Sequence, residues 1–237
     1  MTRHIGIVAC SAEGAALCYR TLCIEAPLRL GGYDHPEITM HGLSFDQYMA
    51  AINAGDWRSV ADLMLISARV LAGAGADFAI CPDNTIHQAL PRVEAASPIP
   101  WLHMPDEVAR TAQEMCSQRP AVLGTRWLME GPVYDGAFRR LGMEQAIPGP
   151  EERETVNRII FDELVRGERR ADSLDRLVAI IRNMQSRGCD SVVLGCTELP
   201  LLITPENSPL PVLDSTRVLA RAALREAIDG SALAAPS

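Results

Sequence analysis

The chain contains no lysine, because all 22 of its basic residues are arginines. A pyridoxal phosphate enzyme holds its cofactor through a lysine Schiff base, so the sequence excludes that attachment. Seven cysteines are present, but no two of them form a CxxC pair. The usual motifs of structural zinc sites and of thioredoxin-like proteins are therefore absent. The glycines form no GxGxxG pattern, so nothing indicates a dinucleotide site. We therefore expect no cofactor and no metal ion.

The chain also lacks an excess of positive charge and any long apolar run. Its formal net charge is -8, which argues against nucleic acid or an anionic membrane surface as a partner. No apolar run approaches the length of a membrane span. The first strand-like segment, Ile5–Ala9, follows the start too closely to leave room for a signal peptide. These features predict a cytoplasmic location with reduced thiols.

What the sequence does contain is an alternation of strand-like and helix-like segments, which is typical of an α/β fold with parallel sheets. Two stretches, one containing Asp83 and the other containing Cys196, share one layout. In each, a glycine-containing segment is followed by a short apolar strand and then by a polar turn. They predict two pseudo-symmetric lobes, each a parallel sheet flanked by helices, with the active site in the cleft between them. We assign 1–97 with 212–229 to the first lobe, 98–211 to the second, and 230–237 to a disordered tail.

The polar turns at the ends of these two strands form the candidate site. One contains Asp83-Asn84-Thr85 and the other contains Cys196-Thr197-Glu198. Ligands of open α/β sheets bind at the carboxyl ends of the strands. One ionisable group on each wall, Asp83 and Cys196, suits the removal of a proton from one face of a carbon and its return to the other. The Asn and Thr side chains and the turn N–H groups are suited to hold a carboxylate and the developing enolate charge.

Several stretches, spread over nearly the whole chain and including these turns, match the motifs of a known family in the same order. They are Ile5-Gly6-Ile7-Val8, Tyr33-Asp34-His35-Pro36, Gly55-Asp56-Trp57, Gly75-Ala76-Asp77-Phe78, Asn84-Thr85-Ile86-His87, Leu123-Gly124-Thr125, Leu194-Gly195-Cys196-Thr197-Glu198-Leu199-Pro200 and Asp214-Ser215-Thr216. Together they resemble the aspartate/glutamate racemase superfamily, the cofactor-independent amino-acid racemases, and within it the aspartate racemase branch. The resemblance implies two α/β lobes with the active site between them, a small carboxylate or amino-acid substrate, and a homodimer.

The chain departs from the family at the first catalytic position. The family motif reads Pro-Cys-Asn-Thr-x-His and this chain reads Pro82-Asp83-Asn84-Thr85-Ile86-His87, so Asp83 stands where the first catalytic Cys would be. Cys81 lies about 6–7 Å back along the strand, and we interpret it as a core residue. Reference pKa values are about 3.9 for Asp and about 8.5 for Cys. At neutral pH an ordinary Asp83 therefore accepts a proton but donates poorly, whereas Cys196, which matches the second catalytic Cys, is a ready acid.

This unequal pair leaves three functions open. In the first, the two groups racemise an amino acid, with the Asp83 pKa raised by burial. In the second, Cys196 works from one side, as in the arylmalonate decarboxylases and maleate isomerases of the superfamily, which also contains hydantoin racemases. In the third, the protein binds a small acid without turning it over. Asp83 is equally suited to cap the following helix as an Asx-turn residue, and this role is compatible with catalysis.

The remaining polar residues of the turns are predicted to contact the substrate: Ser11, Asn84, Thr85, Thr125, Thr197 and Glu198. Each of these residue types is also common in turns and helix caps for purely local reasons. A second departure lies at Leu128, where the family motif Gly-Thr-x-x-Thr-Met has Thr, with Trp127 beside it. If both residues line the pocket, the substrate is larger or less polar than aspartate.

Overall fold

The computed structural model describes residues 2–230, and these divide into two compact units. One unit comprises the chain up to Glu107 together with the chain from Thr216 onward, and the other is Val108–Ser215. The predicted lobe boundaries lay at 97 and 211. The tail predicted at 230–237 lies outside the described residues apart from Gly230. Within 2–230 there is no helix with both the length and the apolar character that crossing a membrane requires.

The first unit contains a three-stranded parallel sheet in the order β2-β1-β3. Its strands are β1 Ile5–Ala9, β2 Ile38–Gly42 and β3 Phe78–Ile80. Its helices are α1 Ala12–Glu25, α2 Pro27–Leu30, α3 Phe45–Asn53, α4 Trp57–Gly73 and α5 Leu90–Glu94, with a 3-10 helix at Thr85–Ala89 and α6 Met104–Glu114 leading into the second unit. Ile5 pairs with Ile38 on one side and with Phe78 on the other, so β1 is the central strand. Because α1 and α4 pack on this sheet, β1 is apolar along almost its whole length.

The last helix, α11 Ser215–Asp229, belongs almost entirely to the first unit. Arg225 donates to the buried carboxylate of Glu107 at 2.7 Å, and Arg221 donates to Glu25 at 2.8 Å. The Arg3 side chain forms an ion pair with the fully buried Glu226. A charge buried without a partner is strongly destabilising, so the pairs made by Glu107 and Glu226 restrict where α11 can pack.

The second unit repeats the plan with the strand order β4-β5-β6, again all parallel. Its strands are β4 Pro120–Leu123, β5 Ser191–Leu194 and β6 Val212–Asp214. Its helices are α7 Arg126–Glu130, α8 Asp135–Arg140, α9 Pro150–Asp162 and α10 Ala171–Ser186, with 3-10 helices at Leu164–Arg166 and Leu199–Leu201. A core of buried apolar residues joins β4 and β5 to α9 and α10. The predicted α/β class, with two parallel sheets flanked by helices, is confirmed.

Three elements differ in detail from what the sequence pattern predicts. The apolar periodicity predicts a helix from Ser59, but α4 begins at Trp57, because Asp56 caps it by accepting from the Ser59 N–H at 3.0 Å. The pattern also predicts one helix from Glu151 to Gly167, but that helix ends at Asp162 and is followed by a 3-10 turn. The apolar run at Trp101 predicts a short strand, and the structure has a single bridge there, to Ala79.

The turn after β5 depends on a glycine. A Cβ at Gly195 would lie 3.0 Å from the Leu123 carbonyl oxygen and would overlap the Leu128 side chain. We expect Gly195→Ala to lower the free energy of unfolding by about 1–3 kcal/mol, the usual cost of overpacking. Urea denaturation followed by circular dichroism measures this change.

Gly73→Ala is the matched control, since Gly73 ends α4 and a Cβ there would meet nothing within 4 Å. It should leave stability unchanged or raise it by up to about 1 kcal/mol through helix propensity. Equal effects of the two substitutions would contradict the close packing assigned to Gly195.

Candidate active site

In the first sheet, Asp83 leaves the carboxyl end of β3 and starts the next turn. The side chain is half-buried, and its Oδ1 accepts a hydrogen bond from the Ile86 N–H at 3.3 Å. This bond spans three residues rather than the two of an Asx turn, and it caps the first turn of the 3-10 helix Thr85–Ala89, whose N-cap residue is Asn84. Asn84 and Thr85, predicted to contact the substrate, are buried beside it. The capping role of Asp83 is therefore present in the structure.

Cys81, the thiol before this turn, is fully buried. Burial raises the pKa of the Cys81 thiol well above its ordinary value, and the negative charge of Asp83 raises it further. The thiol therefore stays protonated at neutral pH and cannot replace a catalytic base. This agrees with the interpretation of Cys81 as a core residue.

Ser11 follows β1 on the same edge of this sheet. Ile7 of β1 pairs with Ile80 of β3, so the chain leaves both strands at similar heights. The Ser11 hydroxyl accepts from the Gly14 N–H at 3.3 Å and so caps α1. The first sheet thus brings Ser11, Asp83, Asn84 and Thr85 to one edge.

In the second sheet, the turn after β5 holds Cys196, Thr197 and Glu198, all buried. The Cys196 thiol donates to Glu198 Oε2 at 2.9 Å, and the Thr197 hydroxyl donates to the same oxygen at 2.9 Å. Glu198, predicted to contact the substrate, is therefore the acceptor that orients the thiol. The spacing of the motif gives no sign of this pairing, because contact between residues two apart depends on the turn conformation.

Thr125 lies on the same edge of the second sheet and caps α7, accepting from the Leu128 N–H at 3.3 Å. Leu128 is fully buried against the glycine turns that follow β4 and β5. Trp127 packs edge-on against Phe161 at 5.8 Å between ring centroids. Leu128 therefore shapes the turn that holds Cys196, and Trp127 packs onto α9.

One further contact at this edge was not predicted. The buried Ser215 hydroxyl donates to the Leu194 carbonyl oxygen at 2.8 Å and thereby ties the start of α11 to the last residue of β5. The Tyr134 phenol is also buried there; burial raises its pKa, and a hydrogen bond with Ser215 opposes the change. The only signal in the sequence was the Asp-Ser-Thr run directly after a short strand.

His87 is the titratable group of the first turn whose pKa changes most clearly. Burial, and next the neighbouring His103, lower its pKa to about 3. The ring is therefore neutral across the working pH range. Its Nε2 lies 3.0 Å from the Cys81 carbonyl oxygen, an acceptor, so Nε2 must hold the proton.

This pKa predicts a pH dependence of stability. Unfolded, His87 takes up a proton below pH 6.5, whereas folded it stays neutral down to about pH 3. The contribution of His87 to stability is therefore fully present above pH 6.5 and falls as the pH drops through this window, by up to about 5 kcal/mol over the full interval. We expect His87→Gln to weaken the fall between pH 7 and pH 5, measured by urea denaturation. His35→Gln, at an exposed histidine, should leave the slope as in the wild type.

The sequence and the fold match those of known proteins. Residues 8–223 match the family described as Asp/Glu/Hydantoin racemase. The chain is 31% identical to a candidate Asp/Glu racemase from Yersinia pestis, with a TM-score of 0.87 over 95% of this chain and 99% of the other. An aspartate racemase homologue from Pyrococcus horikoshii OT3 is 28% identical, with a TM-score of 0.83 over 96% and 99%.

A further relative is the broad specificity amino-acid racemase RacX of Bacillus subtilis (strain 168), which is 24% identical over 151 residues. The match covers 64% of this chain and 65% of RacX, just under two thirds of that relative. The fold and these matches place the chain among the isomerases. The chain belongs to the Asp/Glu/hydantoin racemase family.

Proposed function

We propose that the protein is a cofactor-independent amino-acid racemase in which Asp83 and Cys196 act on the same α-carbon. The carboxylate of Asp83 removes the α-proton and becomes a carboxylic acid. The thiol of Cys196 then donates its proton to the other face of the planar intermediate and becomes a thiolate. Inversion is complete when the two protons have moved, and both groups then exchange protons with solvent to begin again.

The observation that supports this proposal best is the hydrogen bond from Cys196 to Glu198. The bond fixes the direction of the Cys196 side chain at the strand end, and it places the Glu198 carboxylate where it can pass a proton to or from the thiol. Thr197 donates to the same carboxylate oxygen and so limits where Glu198 can turn. A cysteine serving only as a core residue has no need of a side-chain carboxyl acceptor.

Asp83 differs from the thiol of the family motif, and its cap explains how a carboxylate fits there. The N–H of Ile86 holds Oδ1, so the side chain has a fixed direction at the end of β3. A carboxylate in this position is a ready proton acceptor. The pair thus has one resting base, Asp83, and one resting acid, Cys196.

Substrate binding is proposed for the other residues of these turns: Ser11, Asn84, Thr85, Thr125, Thr197 and Glu198. The activities named for the relatives support an amino-acid substrate, and the experiment below identifies its side chain. A cytoplasmic location and a homodimer complete the proposal, and light scattering coupled to gel filtration tests the assembly.

Proton NMR in D₂O with a panel of L- and D-amino acids tests the activity. We expect loss of the α-proton signal together with inversion, since each turnover brings in a solvent deuteron. Loss of the signal from one enantiomer without inversion would replace racemisation with one-sided chemistry. No exchange with any amino acid would overturn the proposal, and substituted malonates and maleate would then test decarboxylation and cis-trans isomerisation.

A further inference from the structure

His87 is buried close in sequence to the proposed base, Asp83, but it takes no part in the proposed proton transfer. Its side chain is 2% exposed, and its ring is neutral. Burying an imidazole away from water is unfavourable unless its N–H finds an acceptor. The acceptor that it has found is the Cys81 carbonyl oxygen, at 3.0 Å, in the segment between β3 and Asp83.

This bond closes a small loop around Asp83. The Ile86 N–H donates to Asp83 Oδ1 at 3.3 Å, and the His87 N–H donates to the Asn84 carbonyl at 3.2 Å. Both of these bonds join the turn to residues that follow it. The His87 ring bond reaches back across Asp83 to the strand side, so the turn is held at both ends.

The His87 ring is itself held in place. It contacts the His103 ring edge to face, with 5.2 Å between centroids and 69° between planes. His103 Nδ1 in turn lies 2.9 Å from Asp106 Oδ2, in the first turn of α6. The side chains of His103 and Asp106 therefore fix the direction of the ring Nε2–H of His87.

We propose that His87 is the positioning residue for Asp83. The Nε2–H group of its ring donates a hydrogen bond to the Cys81 carbonyl oxygen, and we call this bond the clamp. The clamp sets the direction in which Asp83 leaves the sheet. This inference rests on the proposed role of Asp83 as the base. Proton transfer needs donor and acceptor within hydrogen-bond reach, and a displacement of about 1 Å can cost about a hundredfold in rate.

Two substitutions separate the clamp from simple packing. His87→Gln keeps a side-chain N–H donor, whereas His87→Phe keeps a ring of similar size without a donor. We expect His87→Phe to lower kcat by about 10- to 100-fold with KM within about threefold. It should also move the acidic limb of the kcat pH profile, while His87→Gln stays within about threefold of the wild type.

Val93→Ala is the control for lost stability, because Val93 is fully buried in α5 and its side chain forms none of the hydrogen bonds described above. It should lower the melting temperature and leave kcat and the pH profile unchanged. Equal losses of kcat in His87→Phe, His87→Gln and Val93→Ala would overturn the positioning role. Absence of exchange in the wild type would instead point to failure of the proposed function.

Two measurements test the clamp without activity. Amide hydrogen exchange at Ile86 should be at least about tenfold faster in His87→Phe than in the wild type, and unchanged in His87→Gln. Nitrogen-15 NMR of the wild type should show the Nε2–H tautomer of His87, constant from pH 5 to pH 8. Unchanged Ile86 protection in His87→Phe, a proton on Nδ1, or titration in this range would each overturn the proposal.

Discussion

Replacement of Cys196 with serine should abolish inversion, with a fall in kcat of at least about a thousandfold. The serine hydroxyl has nearly the shape of the thiol and can still donate to Glu198 Oε2, so the turn after β5 should persist. What is lost is acidity, because an aliphatic alcohol is a far weaker acid than a thiol of ordinary pKa about 8.5. Proton NMR in D₂O measures the exchange, and chiral chromatography measures the inversion.

Cys189→Ser provides the matched control in the same unit. Cys189 is also buried, and burial raises the pKa of its thiol, but it lies before β5, at the opposite end of the strand from Cys196. The substitution buries a hydroxyl and should cost about 1–3 kcal/mol of stability while leaving kcat intact.

The reverse pattern would remove Cys196 from the mechanism. If Cys196→Ser kept wild-type turnover while Cys189→Ser lost it, the hydrogen bond to Glu198 would be a structural contact only. If exchange continued in Cys196→Ser but inversion stopped, Asp83 would be exchanging the α-proton from its own face, and Cys196 would supply the second face alone.

The fold class was predictable because four strands, β1, β3, β4 and β5, are buried almost throughout. These strands are short apolar runs that end in polar or glycine-containing turns, and such a pattern can be recognised in a single sequence. Helix ends were less predictable because they depend on single contacts. The run Gly55-Asp56-Trp57 predicts a break in the chain, whereas the Asp56 side chain caps α4.

Within the candidate site, the sequence predicted which residues end the strands but not how their side chains pair. Thr125 and Ser11 were recognisable because caps follow local rules. The bonds of Cys196 with Glu198 and of His87 with the Cys81 carbonyl depend on turn conformations that spacing does not specify. Ser215 was harder still, since its acceptor, Leu194, is distant in sequence.

Substitutions of Asp83 should have the second large effect on activity. Two of them separate its role as a helix cap from its role as the base. Asp83→Asn retains an oxygen that can accept from the Ile86 N–H, so the cap and the melting temperature should be nearly unchanged. It removes the base, and kcat should fall by about 100- to 10,000-fold. Asp83→Cys does the opposite, because a thiol is a poor acceptor for the cap but restores a second thiol. It should lose about 0.5–2 kcal/mol of stability.

The kinetics of Asp83→Cys test the unequal pair directly. The equilibrium constant of a racemisation is unity, so kcat/KM must be the same for the two enantiomers, and any imbalance appears in the two kcat values. With Asp83 as resting base and Cys196 as resting acid, the wild type should turn over one enantiomer with a higher kcat than the other. Two thiols should bring the two kcat values closer, as chiral chromatography of initial rates would show. Equal kcat values in the wild type, or full activity in Asp83→Asn, would exclude Asp83 as the base and leave it as a cap.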